Sequence, residues 1–123
     1  DVYKRQFLER GFVVISDRYL LSSLAYQGSE LPLEWVSALN RWVRMPDVVI
    51  YLDLDPEEAL GRVKRRTIYH SLEKLRRIRE TYLRIIGSED WRRRTYVVDA
   101  SLSEEEVSRI VLNLTLSALG GLK

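Results

Sequence analysis

Three acids stand directly behind three short apolar runs, and chemistry is most readily built from them. Asp17 follows FVVIS, Asp53 follows VVIYL and Asp99 follows TYVV. Arg18 stands beside the first, Leu54 and Asp55 follow the second, and Ala100 and Ser101 follow the third. A carboxylate so placed can hold a magnesium ion through water, and a neighbouring arginine offers a planar fork suited to phosphate oxygens. The charge distribution points the same way. Twelve of the 20 basic residues lie between Arg62 and Arg94 against four acids, so that stretch carries about +8 within a net charge of +2. A polyanion would meet one region of the surface and avoid the rest. The chain has no cysteine and one histidine, His70, which excludes disulfides, thiolate metal sites, an HxxxH pair and a histidine triad. What remains is an inventory of Asp and Arg, suited to phosphate chemistry by positioning and charge neutralisation. Each acid also has a purely structural reading: Asp55 as a helix cap, Asp99 as the cap of a turn, and Asp17 with Arg18 as an ion pair.

These residues need elements to hold them. Residues 12–16, 48–52 and 95–98 are short apolar runs of the kind that form strands buried on both faces. Between them the period changes to three and four residues, at Trp35, Val36, Leu39, Trp42 and Val43, and again at Leu72, Leu75, Ile78, Tyr82 and Ile85. Both series predict amphipathic helices. Asp55-Pro56-Glu57-Glu58 is a helix start, with a side-chain acceptor, a proline at the first helical position and acids in the first turn. Ser103 and Glu106 have capping-box spacing, ahead of a last helix over about 104–119 that Gly120 can end. The opening residues 1–6 are polar without a clear period. Strands alternating with helices predict an α/β fold, a parallel sheet flanked by helices, in one domain over 1–123. In such sheets ligands bind outside the carboxyl ends of the strands, where the three acids stand.

The segment DRYLLSSLAYQG, residues 17–28, resembles the Asp-Arg-aromatic, Ser and Ala-Tyr-Gln-Gly stretch of thymidylate kinases. PDVVIYLDLDPEEALGR resembles that family's fourth strand and the helix leading to its lid. RxxY at 79–82 and VVDASLSEEEV at 97–107 resemble its later landmarks, in the same order. The resemblance implies transfer of a phosphoryl group from ATP to dTMP with Mg²⁺, giving dTDP. It implies a role for Asp17 near the metal and the transferred phosphoryl, and for Arg18 on the acceptor phosphate. A nucleotide-binding helix over about 18–27 is implied, with Ser22 and Ser23 towards the thymine, Tyr26 against the deoxyribose and Gln27 in the same wall. Arg62, Arg65 and Arg66 fall in a lid over about 62–71 that closes on the donor, and Arg79 falls near the phosphates. Arg62, Ala100 and Ser101 are implied as ATP contacts. For Arg92, Arg93 and Arg94 the resemblance implies nothing, and a solvated face is expected.

One part of the family pattern is missing. No glycine here is followed at the required spacing by GK and Ser or Thr, so no P-loop can cradle donor phosphates. The expectation is a partial nucleoside-monophosphate-kinase-like domain without the first two strands, inactive by itself. The family's sheet order is 2-3-1-4-5, so strands 12–16 and 48–52 would flank a vacant position. With strands about 4.8 Å apart, the gap would be about 9.6 Å. The expected outcome is a poorly stable chain, or one in which these two strands pair.

Two other readings stay open: another nucleoside or nucleotide kinase, and a non-catalytic basic module binding nucleic acid through 62–94. The second leaves DRYLLSSLAYQG without a purpose and has no recognisable nucleic-acid motif. No apolar run approaches the roughly 20 residues that cross a bilayer, so no membrane partner and a cytoplasmic setting are expected. The resemblance further implies a helix-mediated homodimer of the full-length protein.

Overall fold

The computed structural model describes residues 2–17, 19–39, 41, 43–61 and 69–121. The elements run α1 (Val2–Glu9), α2 (Leu20–Gly28), α3 (Leu33–Leu39), β1 (Val49–Asp53), α4 (Pro56–Gly61), α5 (Tyr69–Ile86), α6 (Glu89–Arg92), β2 (Thr95–Asp99) and α7 (Glu104–Gly121). Strands β1 and β2 pair in parallel, Val49 opposite Thr95 through Asp53 opposite Asp99. Parallel neighbours need a crossover, and α4, α5 and α6 supply it. Hydrogen bonds from the Val49 amide to the Arg94 carbonyl, 2.8 Å, and from the Ala100 amide to the Asp53 carbonyl, 2.9 Å, close the two ends of the ladder.

The caps follow the local chemistry. The Glu57 amide donates to Asp55 Oδ1 at 2.8 Å, ahead of Pro56 at the start of α4. Ser103 caps α7, its Oγ accepting from the Glu106 amide at 3.2 Å and donating to Glu106 Oε1 at 3.1 Å; this is the Ser103 half of the predicted capping box. Gly120 does not end the last helix, because α7 continues through Gly121.

The first helix, whose residues have no clear period, is closed by glycine geometry. Gly11 adopts φ 84°, its amide donates to the Leu8 carbonyl at 3.0 Å, and the Phe12 amide reaches back to the Phe7 carbonyl at 3.1 Å. This is the Schellman arrangement, and the rings of Phe7 and Phe12 meet edge to face at 5.5 Å as its hydrophobic contact. No atom would clash with a Cβ at Gly11, so the cost of a side chain there is conformational. Gly11→Ala is expected to cost about 1 kcal/mol, read as faster amide exchange at the end of α1. Exchange equal to wild type would show that the left-handed turn does not hold the helix.

Residues 12–16 are not a strand, which corrects the sequence reading. They form no ladder with β1 or with any other described segment, and Phe12, Val13 and Ile15 are exposed, Ile15 at 82%. A strand exists through its neighbour's hydrogen bonds, and among the described residues no segment pairs with this run. Nor does the gap-closing pairing form. Among the described residues the one neighbour of β1 is β2.

The core lies where α2 packs on α5 and α3. Leu20, Leu21, Leu24 and Ala25 meet Val36, Ile85, Ile86 and Trp91, and Val49, Tyr51 and Tyr82 pack against them from the sheet side and α5. Of the α3 series, Val36 is fully buried while Trp35 is 65% exposed. Arg92 and Arg93 are exposed. Arg94 is not simply solvated: its Nε donates to the Asp90 carbonyl at 2.8 Å and Nη1 to the Pro46 carbonyl at 2.7 Å, tying the entry of β1 to the turn before β2.

Candidate functional site

Helix α2 has two working faces. Its leucines and Ala25 enter the core, while Ser22 and Tyr26, one turn apart, look towards α5. There they meet Tyr82. Ser22 Oγ and the Tyr82 hydroxyl are 2.7 Å apart, and the rings of Tyr26 and Tyr82 meet edge to face at 6.3 Å and 88°. On its other side the Tyr82 ring stacks on Tyr51 of β1, with centroids 4.7 Å apart. Ser23 is half-buried and Gln27 exposed on the same helix.

Two residues on from Tyr51, on the same face of the strand, Asp53 ends β1. Arg79 binds it as a fork, Nε to Oδ1 at 2.9 Å and Nη2 to Oδ2 at 3.1 Å. Tyr51 and Asp53 share this face, and the Asp53 charge acts on the Tyr51 phenol. Burial, then the neighbouring Asp53 charge, push the Tyr51 phenol well above its ordinary value. The hydrogen bond to Asp53 raises Arg79, which stays charged. Contacts therefore run from Ser22 and Tyr26 through Tyr82 to Tyr51, which shares its strand face with Asp53 and its partner Arg79. They join the helix wall to the strand that ends at the carboxyl end of the sheet. Asp99, the ladder partner of Asp53, caps its own turn: the Ser101 amide and hydroxyl donate to its Oδ1 at 2.9 and 2.6 Å. The Ser101 donors hold the Asp99 carboxyl below its usual range. Ala100 and Ser101 thus lie at the same sheet end as Asp53.

Asp53→Asn tests this network. It removes the charge that Arg79 pairs with, and since Arg79 remains 35% exposed the expected loss is about 1–2 kcal/mol, the low range for a charge-assisted pair. The Tyr51 titration should move down, but only part of the way, because burial is the largest cause and stays. The sign for stability is fixed: a raised phenol contributes fully below the unfolded value of about 10 and loses its contribution as pH rises towards the folded value. Phenolate absorbance against pH, with urea unfolding, measures both. Neither quantity moving would show that Asp53 is not the centre of the network.

Of the other predicted site residues, Asp17 lies on an exposed bend after 12–16. Arg18, Arg62, Arg65 and Arg66 lie outside the described residues, as do 63, 64, 67 and 68 of the expected lid. Mg²⁺ typically uses one or two carboxylates with substrate phosphates and water rather than a protein cage. Asp17 is an exposed carboxylate; Asp53 does not suit such a role, because Arg79 engages both of its oxygens. Among the described residues no group of three or more His, Cys, Asp or Glu could hold a metal ion by itself. A depression of about 380 Å³ beside α1, lined by Arg5, Leu8, Glu9, Arg41, Val43 and Arg44, contains none of the predicted site residues.

Sequence reasoning gave Tyr51 and Tyr82 no site role, and offered Asp53 as a metal-holding carboxylate rather than as the partner of Arg79. The signal was present as spacing: Arg79 and Tyr82 three apart on a helix, Tyr51 and Asp53 two apart on a strand, each pair on one face.

A parallel strand-helix-strand unit with arginine and carboxylates at its strand ends, and a Ser and Tyr wall beside them, is of the α/β nucleotide-kinase class. The thymidylate kinase family model matches residues 2–111, and the chain belongs to that family. It is 37% identical to a probable thymidylate kinase of Pyrobaculum calidifontis, over 98% of this chain and 64% of the relative. It is 38% identical to one from Staphylothermus marinus, over 92% of this chain and 57% of that protein. Identity to one from Thermococcus kodakarensis is 46%, over 63% of this chain and 40% of that protein. The chain thus spans between 40% and 64% of the length of these three curated relatives.

Proposed function

We propose that this chain carries the acceptor-nucleotide side of a kinase that transfers the terminal phosphoryl of ATP to dTMP, giving dTDP. The observation that carries the reading is the contact of Ser22 and Tyr26 with Tyr82 and of Tyr82 with Tyr51, on the strand face that ends two residues on at the Asp53 and Arg79 pair. It couples a wall fit for a sugar and base to the sheet end where a phosphate belongs. In this reading Arg18 binds the acceptor phosphate, Tyr26 packs on the deoxyribose, and Ser22, Ser23 and Gln27 line the base. Arg79 stands near the phosphates, held in orientation by Asp53. Arg62, Arg65 and Arg66 belong to the lid, where arginines stabilise charge spreading over the phosphoryl in flight. Ala100 and Ser101 face the donor. Bound Mg²⁺ would neutralise phosphate charge, with Asp17 holding it through water. The protein that contains this chain works as a cytoplasmic homodimer in the same reading.

Equilibrium titration of the chain with dTMP, dUMP, dGMP and thymidine tests the assignment. Preference for dTMP, and loss of affinity without the phosphate, is the expected result. Preference for another nucleotide or for the free nucleoside would move the chain to a different acceptor. A steep salt dependence on duplex DNA with no nucleotide binding would replace the reading with that of a basic nucleic-acid module.

A further inference from the structure

The residue that ties the candidate wall together is Tyr82. It touches three elements at once: α2 through its hydroxyl on Ser22 and its ring against Tyr26, β1 through the stack on Tyr51, and α5 on which it stands. Tyr26 is an exposed ring on two rotatable bonds, and such a ring discriminates against an extra hydroxyl only if something fixes its plane. The nearly perpendicular contact with Tyr82 does this, and Tyr82 is itself fixed by the Tyr51 stack and the Ser22 bond.

We infer that Tyr82 is a positioning residue that sets the sugar specificity of the site, by holding Tyr26 where a 2′-hydroxyl would collide and by directing the Ser22 hydroxyl. Either oxygen of the Ser22 and Tyr82 pair can be the donor. With Tyr82 donating, Ser22 Oγ accepts and its own proton is free to meet a carbonyl of the base; with Phe at 82 that arrangement is no longer set. Ring and hydroxyl therefore have separable effects. The ring governs the choice between deoxyribose and ribose, and the hydroxyl governs affinity for the base irrespective of sugar. The inference rests on the nucleotide-site reading above.

The test compares the wild-type chain with Tyr82→Phe and Tyr82→Leu, titrated with dTMP and with ribothymidine 5′-monophosphate, each variant checked by circular dichroism. Tyr82→Phe should weaken both ligands in parallel, by about three- to tenfold, leaving their ratio as in wild type. Tyr82→Leu should reduce the preference for dTMP over the ribonucleotide by about five- to tenfold, the scale of one aromatic pair. A role in stability alone would lower the melting temperature and weaken both ligands without changing the ratio, so a wild-type ratio in folded Tyr82→Leu overturns the inference. Should Tyr82→Leu not fold, Tyr82→Phe decides: a changed ratio, or unchanged affinity for both ligands, overturns it. Binding of neither ligand by the wild-type chain overturns the site reading itself, a pattern distinct from either variant result.

Discussion

Leu24→Ala is expected to lower the unfolding free energy by about 3 kcal/mol, within the range of about 2–5 kcal/mol for buried leucines. Leu24 is 7% exposed at the centre of the cluster formed by α2, α3, α5 and α6. The size matters because a folded domain has a net stability of only about 5–15 kcal/mol. The same helix carries Ser22 and Tyr26 on its other face, so loosening its packing reaches the candidate wall directly. Urea unfolding should show a lower midpoint with an unchanged slope. Leu116→Ala, at an exposed position on α7, should stay within about 0.5 kcal/mol and serves as the control. A loss for Leu24→Ala no larger than that of the control would mean that α2 is not seated on the core, and the site built on it would have no foundation.

Incubated with ATP, Mg²⁺ and dTMP, the chain alone is expected to form no dTDP above the enzyme-free background. Phosphoryl transfer is accelerated almost wholly by positioning and electrostatic stabilisation, with little covalent help from the protein. The donor side of that work falls to a glycine-rich loop of backbone amides and a lysine, and the pattern for it is absent from these 123 residues. Loss of even one oxyanion donor commonly costs about 10²–10³ in rate, so removal of a whole cradle should take turnover at least 10⁴-fold below the roughly 1–100 s⁻¹ of kinases. A coupled assay for dTDP measures this. Robust turnover would mean that some other part of this chain holds the donor triphosphate. Binding of dTMP without turnover is the combination the proposed function requires.

What the sequence by itself determined was whatever short-range chemistry controls. Asp55 caps α4 and Ser103 caps α7, because each depends on residues within one turn. The apolar runs before Asp53 and Asp99 have the composition of strands and become strands by pairing with each other. The Ser22 and Tyr26 face was legible because the two stand one turn apart on one helix. The Arg18 and lid part of the expected site lies outside the described residues and remains an expectation. Tertiary structure alone decided the rest. The run at 12–16 has the composition of a strand yet is none, since strand formation requires a neighbour and composition cannot supply one. Arg79 meets Asp53 across 26 residues, Arg94 meets Pro46 across 48, and Ser22 meets Tyr82 across 60. Helical or strand period says which face a side chain occupies; which distant face it meets is settled only when α2, β1 and α5 close on one core.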